Sequence, residues 1–310
     1  MALRVRVLGA AAGGGFPQWN ANNEACRRAR AGDPAARPAT QASLAVSADR
    51  ERWILLNASP DLRQQIEATI ELHPRTGLRD SPIRAVVLTN GDVDAIAGLL
   101  SLRERQALSV YATGGVLAIL TANPVFEVLA RDAVERHRLM LEEPTLLRER
   151  GAAPLGLVIE AFAVPGKVPL YLEAGQGRVE TARLGEETVG LRLSDDAGRA
   201  FFFIPSCAAM TPELAQRLRG AELVFFDGTL WRDDEMIREG SGEKTGRRMG
   251  HISASGPDGA IAAFARLAVR RKIFIHVNNS NPLLLADSAE RAEAAAAGWE
   301  VASDGMEIVL

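Results

Sequence analysis

Apolar residues alternate with arginines along Leu3–Gly9, the period-two pattern of a strand with one buried face. Ser43–Val46 and Trp53–Asn57 carry two further strand-like runs around the polar turn SADRER, which predicts a hairpin. Short apolar runs then recur at Ala85–Leu88, Ser109–Ala112, Gly156–Ala163, Thr188–Leu193, Ala200–Ile204, Leu223–Phe226 and Ile273–Val277, with a last strand near Met306–Leu310. Helical patterning occupies Asp61–Ile66, where a proline suits the first turn, and Ala95–Arg105. It returns as an amphipathic stretch around 123–143, in a helix capped by Thr211 and stopped by Gly220, and near Pro257–Val269.

Strands cluster in each half of the chain, with helices between and outside them. That order predicts an α/β fold of the αββα sandwich type, two mixed sheets flanked by helices. A doubly wound sheet would need strict βαβ alternation from the start, which the early hairpin contradicts. With no fixed-period repeat and no low-complexity linker, residues 1–310 read as a single domain.

Composition narrows the partners. The 310 residues are 47% hydrophobic and 24% charged, enough for a large core without disulfides. A net charge of −3 gives no electrostatic case for nucleic acid or an anionic membrane. Cys26 and Cys207 lie too far apart in sequence for a CxxC knuckle. The first apolar stretch is too short for a signal peptide, and no run reaches the roughly 18 apolar residues of a membrane span. The expectation is a reduced, cytoplasmic protein.

The candidate chemistry lies at predicted strand ends. Gly9–Asn20 (GAAAGGGFPQWN) is a glycine-rich turn, but it lacks the GxGxxG-to-helix pattern of a dinucleotide site. It reads instead as a loop whose backbone approaches another part of the chain closely. His73 falls in a predicted loop and His137 on the predicted charged helix, both at the surface. His251 (MGHIS) and His276 (FIHVNNSNP) fall at element boundaries, where a side chain can face a cavity. Asp92 and Asp94 stand two apart after the strand AVVL, and Asp227 ends the strand LVFF. Three carboxylates and a histidine at strand ends suit a hard metal or iron. The alternative is that Asp92 and Asp94 cap the following helix.

AAGGGFPQWN, LLNASPDLRQQI, LTNGDVD, VPGKVPLYLE, FFDGT, TGRRMGHI and HVNNSNP, spread over nearly the whole chain, resemble segments of the coenzyme PQQ synthesis protein B family. That family lies within the metallo-β-lactamase superfamily, whose THxHxDH motif corresponds to Thr89–Ala95. The resemblance implies a role in pyrroloquinoline quinone (PQQ) biosynthesis, with iron-dependent hydroxylation of the tyrosine ring of a Glu/Tyr-derived precursor. It also admits a carrier of PQQ or a precursor towards the periplasm, without catalysis. By the same resemblance Asp92, Asp94, Asp227 and His276 are metal ligands, and His251 with Asp94 acts in catalysis. Asn278, Asn279 and Asn281 are substrate contacts or, equally, formers of Asx turns. Implied partners are the pathway intermediate, other PQQ biosynthesis proteins and a second copy of the chain. Two departures stand out. The family's zinc-binding CxCxxC loop is here Ala21, Asn23 and Cys26, so no structural zinc is expected. Ala95 replaces a family histidine, so iron is expected to bind weakly.

Overall fold

The computed structural model describes residues 2–151, 153–173 and 181–310. Strands β1 (Arg4–Gly9), β2 (Ser43–Ser47), β3 (Trp53–Leu56), β4 (Ile83–Val87), β5 (Leu108–Thr113) and β6 (Val134–Leu139) build most of a first sheet. Strands β7 (Thr145–Arg148), β8 (Pro154–Ala163), β9 (Val189–Asp195), β10 (Ala200–Ile204), β11 (Leu223–Asp227), β12 (Arg271–Ile275) and β13 (Trp299–Val301) build the second. Strand β14 (Glu307–Val309) returns to the first sheet and pairs antiparallel with β1.

The first sheet runs β14-β1-β2-β3-β4-β5-β6, antiparallel as far as β3 and parallel from there. The second runs β13-β12-β11-β10-β9-β8-β7, parallel among β10 to β13 and antiparallel beyond. Both sheets are therefore mixed. Their inner faces share one apolar layer in which Val5, Val7, Leu44 and Leu56 pack with Leu191, Phe201, Phe203 and Phe225. The outer face of the first sheet is covered by helical residues such as Leu62, Leu99, Val116 and Leu120. The outer face of the second is covered by Leu214, Leu218 and Phe264, with Trp299 stacked on Phe274 at 3.9 Å. This is the αββα sandwich, with buried aliphatic and aromatic surface on both sides of each sheet.

Three predicted helices are corrected. Residues 123–143 hold a short 3-10 turn (Pro124–Val128) and then β6, parallel to β5 at the sheet edge. The run GluArgHisArg suits an edge strand, because charges there discourage further pairing. His137 thus lies on a strand, stacked on Tyr111 at 4.6 Å. The stretch Ala95–Arg105 is mostly 3-10 (Ala97–Leu102), and near Pro257–Val269 only Ala260–Phe264 is α-helical.

Candidate functional site

Parallel pairing of β11 with β12 sets Asp227 beside Ile275, so His276, the next residue, leaves the sheet next to Asp227. Its backbone has φ +61, a left-handed conformation costly for a non-glycine residue and frequent at functional sites. Asp227 is fully buried. A buried carboxylate is tolerated only with donors around it. Its Oδ1 accepts from the Thr229 amide (3.0 Å) and hydroxyl (2.7 Å), and its Oδ2 accepts from the Cys207 amide (2.9 Å) and His251 Nδ1 (2.7 Å). Thr229 Oγ1 also lies 2.8 Å from His276 Nδ1 and 3.0 Å from His251 Nδ1. The two imidazoles stack 5.3 Å apart.

The first sheet supplies the acids. After β4 the chain turns through Thr89–Asp92 into the short helix Val93–Ile96. Asp94 Oδ2 lies 2.7 Å from His276 Nε2. Burial works against the Asp94 carboxylate, but the hydrogen bond and charge of His276 outweigh it and hold its carboxyl below the usual range. His276 is the counterpart: burial disfavours the imidazolium, while Asp94 and the other acids hold its pKa above the ordinary value. Burial and the neighbouring Asp94 charge push Asp92 upward. Asp92 precedes the helix without a side-chain bond to it, so it is not the cap that its position suggested.

The glycine turn closes one side. Ala12 donates to the Val277 carbonyl (2.9 Å) and Val277 donates to that of Ala10 (3.0 Å), which ties the turn to the segment carrying His276. Gly14, at φ +91 with its amide on Gln41 Oε1 (3.0 Å), is a position where glycine is required. The result is a cleft of about 540 Å³ lined by Asp92, Asp94, His251 and His276, and further round by Lys167 and Arg248.

The remaining expected residues fall in different places. Asn278 lines this cleft and bonds Ser280 Oγ (2.7 Å), whereas Asn279 packs towards Gln18 and Cys26. Asn281 is fully buried and fixes its own turn, donating to the Gly228 carbonyl (2.8 Å) and accepting from the Leu283 amide (2.9 Å). In the first loop Asn23 caps the helix Glu24–Arg30 through the Cys26 amide (2.8 Å), and the Cys26 thiol is buried. Sequence reasoning missed Thr229, Lys167, Glu173 and Arg248. Their residue types were visible in FFDGT, VPGKVPLYLE and TGRRMGHI, but no local spacing marks them as a group.

Asp227, His251 and His276 each offer a donor atom within 4.8 Å of the others. Asp227 is already saturated by four protein donors, which suits it to orienting His251 more than to ligation. Asp92 accepts no hydrogen bond from the described residues, and Asp94 and His276 share one proton between them. Carboxylate oxygens beside an imidazole nitrogen fit a divalent cation.

Sandwich and strand-end site define a class, and the comparisons agree. A model of the beta-lactamase superfamily domain matches residues 52–277. Coenzyme PQQ synthesis protein B of Gluconacetobacter diazotrophicus is 61% identical over 302 residues, covering 97% of this chain and 98% of its own. Its counterpart in Xanthomonas euvesicatoria pv. vesicatoria is 55% identical over 308 residues, covering 99% and 100%. The crystal structure of Zn(2+)-bound PqqB from Methylobacterium extorquens superposes with a TM-score of 0.94 at 50% identity, covering 99% of this chain and all of that one. A diphosphatase of the PhnP family, at 19% identity and a TM-score of 0.67, shares the fold. The chain belongs to the coenzyme PQQ synthesis protein B family of the beta-lactamase superfamily. Among the described residues no helix is long and apolar enough to cross a membrane.

Proposed function

We propose that the chain acts in PQQ biosynthesis as an iron-dependent hydroxylase of the tyrosine-derived ring of a Glu/Tyr-derived precursor. The reading is carried by the half-buried acid–imidazole cluster at the strand ends, open to a cleft of substrate size. His276, Asp94 and Asp92 would hold a ferrous ion, which supplies the redox chemistry that ring hydroxylation requires. His276 Nε2 gives up the proton it shares with Asp94 as a cation binds, so affinity rises with pH. Asp227 and Thr229 fix His251 through Nδ1, which leaves Nε2 to exchange a proton with the substrate's ring hydroxyl. The glycine turn and Tyr171 narrow the cleft and limit water around the ring.

A second reading, a carrier of PQQ or a precursor, is favoured by Ala95. Its buried methyl group offers no donor at a position where the family pattern has histidine. Oxygen uptake separates the two readings. Anaerobically purified protein reloaded with ferrous iron is expected to consume oxygen only with a glutamyl-tyrosine peptide present. Stoichiometric PQQ binding without uptake on any candidate peptide would leave the carrier reading standing. Deletion of the gene is expected to lower PQQ yield in a host with no second copy.

A further inference from the structure

The cleft has a second charged cluster with its own hydrogen bonds. Lys167 follows β8 and Arg248 lies in the helix Gly246–Met249, three residues before His251. Both bind Glu173, Lys167 Nζ at 3.0 Å and Arg248 Nη2 at 3.0 Å. The side chains of Lys167 and Glu173 are only 13% and 9% exposed, so this contact is largely desolvated and weakly screened. The hydrogen bond from Arg248, then Lys167, holds the Glu173 carboxyl down at about 2 against the effect of burial. Gly250, at φ +87, leaves room for the Lys167 stem, since a Cβ there would stand 3.1 Å from Lys167 Cγ.

Charge counting points to a missing partner. Lys167, Arg248 and Lys244 all line the cleft, and among the described residues around it Glu173 is the carboxylate paired with the first two. With Asp92, which also lines the cleft, counted beside Glu173, one positive charge is left over in a concave site. Asp94 does not cancel it, because its carboxylate is already engaged with His276. Leu170, Tyr171 and Met236 add apolar lining, and Tyr171 donates to the Gly91 carbonyl at 2.6 Å, which fastens this wall to the loop carrying Asp92.

We propose that Lys167, Arg248 and Lys244 form a carboxylate-binding subsite that anchors the anionic end of the substrate while its ring points at Asp94 and His276. Glu173 is an internal carboxylate that holds two of the cations in place and competes with the ligand for them. Bidentate capture by a guanidinium gives orientation as well as affinity. The identity of the ring rests on the function proposed above; the anion subsite rests on the charges alone.

Calorimetric titration of the metal-free full chain tests this with three probes: a glutamyl-tyrosine peptide, PQQ and citrate. Arg248→Ala and Lys167→Gln are each expected to weaken binding by about tenfold or more. Arg270→Ala, an exposed arginine at the far end of β12, is expected to stay within about twofold of wild type. Glu173→Gln is expected to bind several-fold tighter, a gain that a misfolded variant cannot imitate. Equal binding by wild type, Arg248→Ala and Lys167→Gln overturns the proposal, as does failure of all three probes to bind wild type. Citrate binding that follows these variants while peptide and PQQ fail to bind keeps the subsite and overturns the pathway substrate.

Discussion

The two sheets contribute unequally to the site. The second sheet delivers a finished arrangement: Asp227 takes four protein donors, Thr229 touches both imidazoles, and the rings are stacked. The first sheet delivers Asp92 without a donor among the described residues, Asp94 hydrogen-bonded to His276, and Ala95 with a methyl group alone. One half of the site is preorganised by the protein, and the other half, on the function proposed above, is left for a cation to complete. Preorganised polar groups cost little to use, whereas unpaired carboxylates repel one another until something positive binds.

His276→Ala gives the largest test, because His276 joins the halves. Divalent-metal affinity is expected to fall by more than about 100-fold, since ligand loss exceeds the 10–100-fold typical of a supporting residue. Retained tight metal by elemental analysis would place the ligands elsewhere. Thr229→Val removes the hydroxyl that serves Asp227 and both rings. We expect roughly 10–100-fold weaker metal binding from it. An unchanged affinity would mean that the second-sheet arrangement is dispensable. Ala95→His acts on the unfinished half and is expected to raise iron affinity about tenfold, as an added imidazole should. Space there is tight: a void of about 10 Å³ lies among Asn57, Asn90, Asp94, Ser206 and His276. The same variant should therefore lower stability by about 1–3 kcal/mol, read from the urea midpoint.

A further effect concerns pH. Asp304 accepts from the Ala10 amide (3.0 Å) and from the Thr40 amide (2.7 Å) and hydroxyl (2.8 Å), so it clamps the start of the glycine turn. Burial, aided by the nearby Asp61 charge, pushes its carboxyl up to about 6, and burial pushes that of Glu235 up to about 7. Both native values lie above those of the unfolded chain. The protonated forms therefore favour the fold, and this contribution is complete below about pH 4 and lost as pH rises through 6 to 7. For Asp304 it amounts to about 3 kcal/mol. Asp304→Asn is expected to flatten the stability profile between pH 4 and 7; an unaltered slope in urea melts would exclude Asp304 as its source.

Legibility in the sequence follows the same division. The buried strands were plain because Val86, Phe225 and Phe274 sit in unbroken apolar runs, and the fold order followed from them. Asp92, Asp94, Asp227, His251 and His276 were legible because short polar residues interrupt those runs at their ends. Thr229 was not, since a threonine after AspGly looks like any turn residue until two imidazoles arrive from 22 and 47 positions later. The pairing of Lys167 and Arg248 through Glu173 is likewise made by the fold, Glu173 and Arg248 being 75 positions apart. The edge strand β6 was misread because its charges imitate a solvated helix face, and only the neighbouring β5 decides its form.

The left-handed backbone at His276 sets stability against function within one residue. Only glycine adopts φ +61 without penalty, so a side chain there costs the fold on the order of 1–3 kcal/mol. The fold would accordingly be firmer with glycine at position 276 than with alanine, and by less over the chain's own histidine, whose bonds to Asp94 and Thr229 offset part of that strain. His276→Gly therefore exchanges the imidazole of the site for a relaxed backbone, and a screen that reads stability alone does not protect this residue.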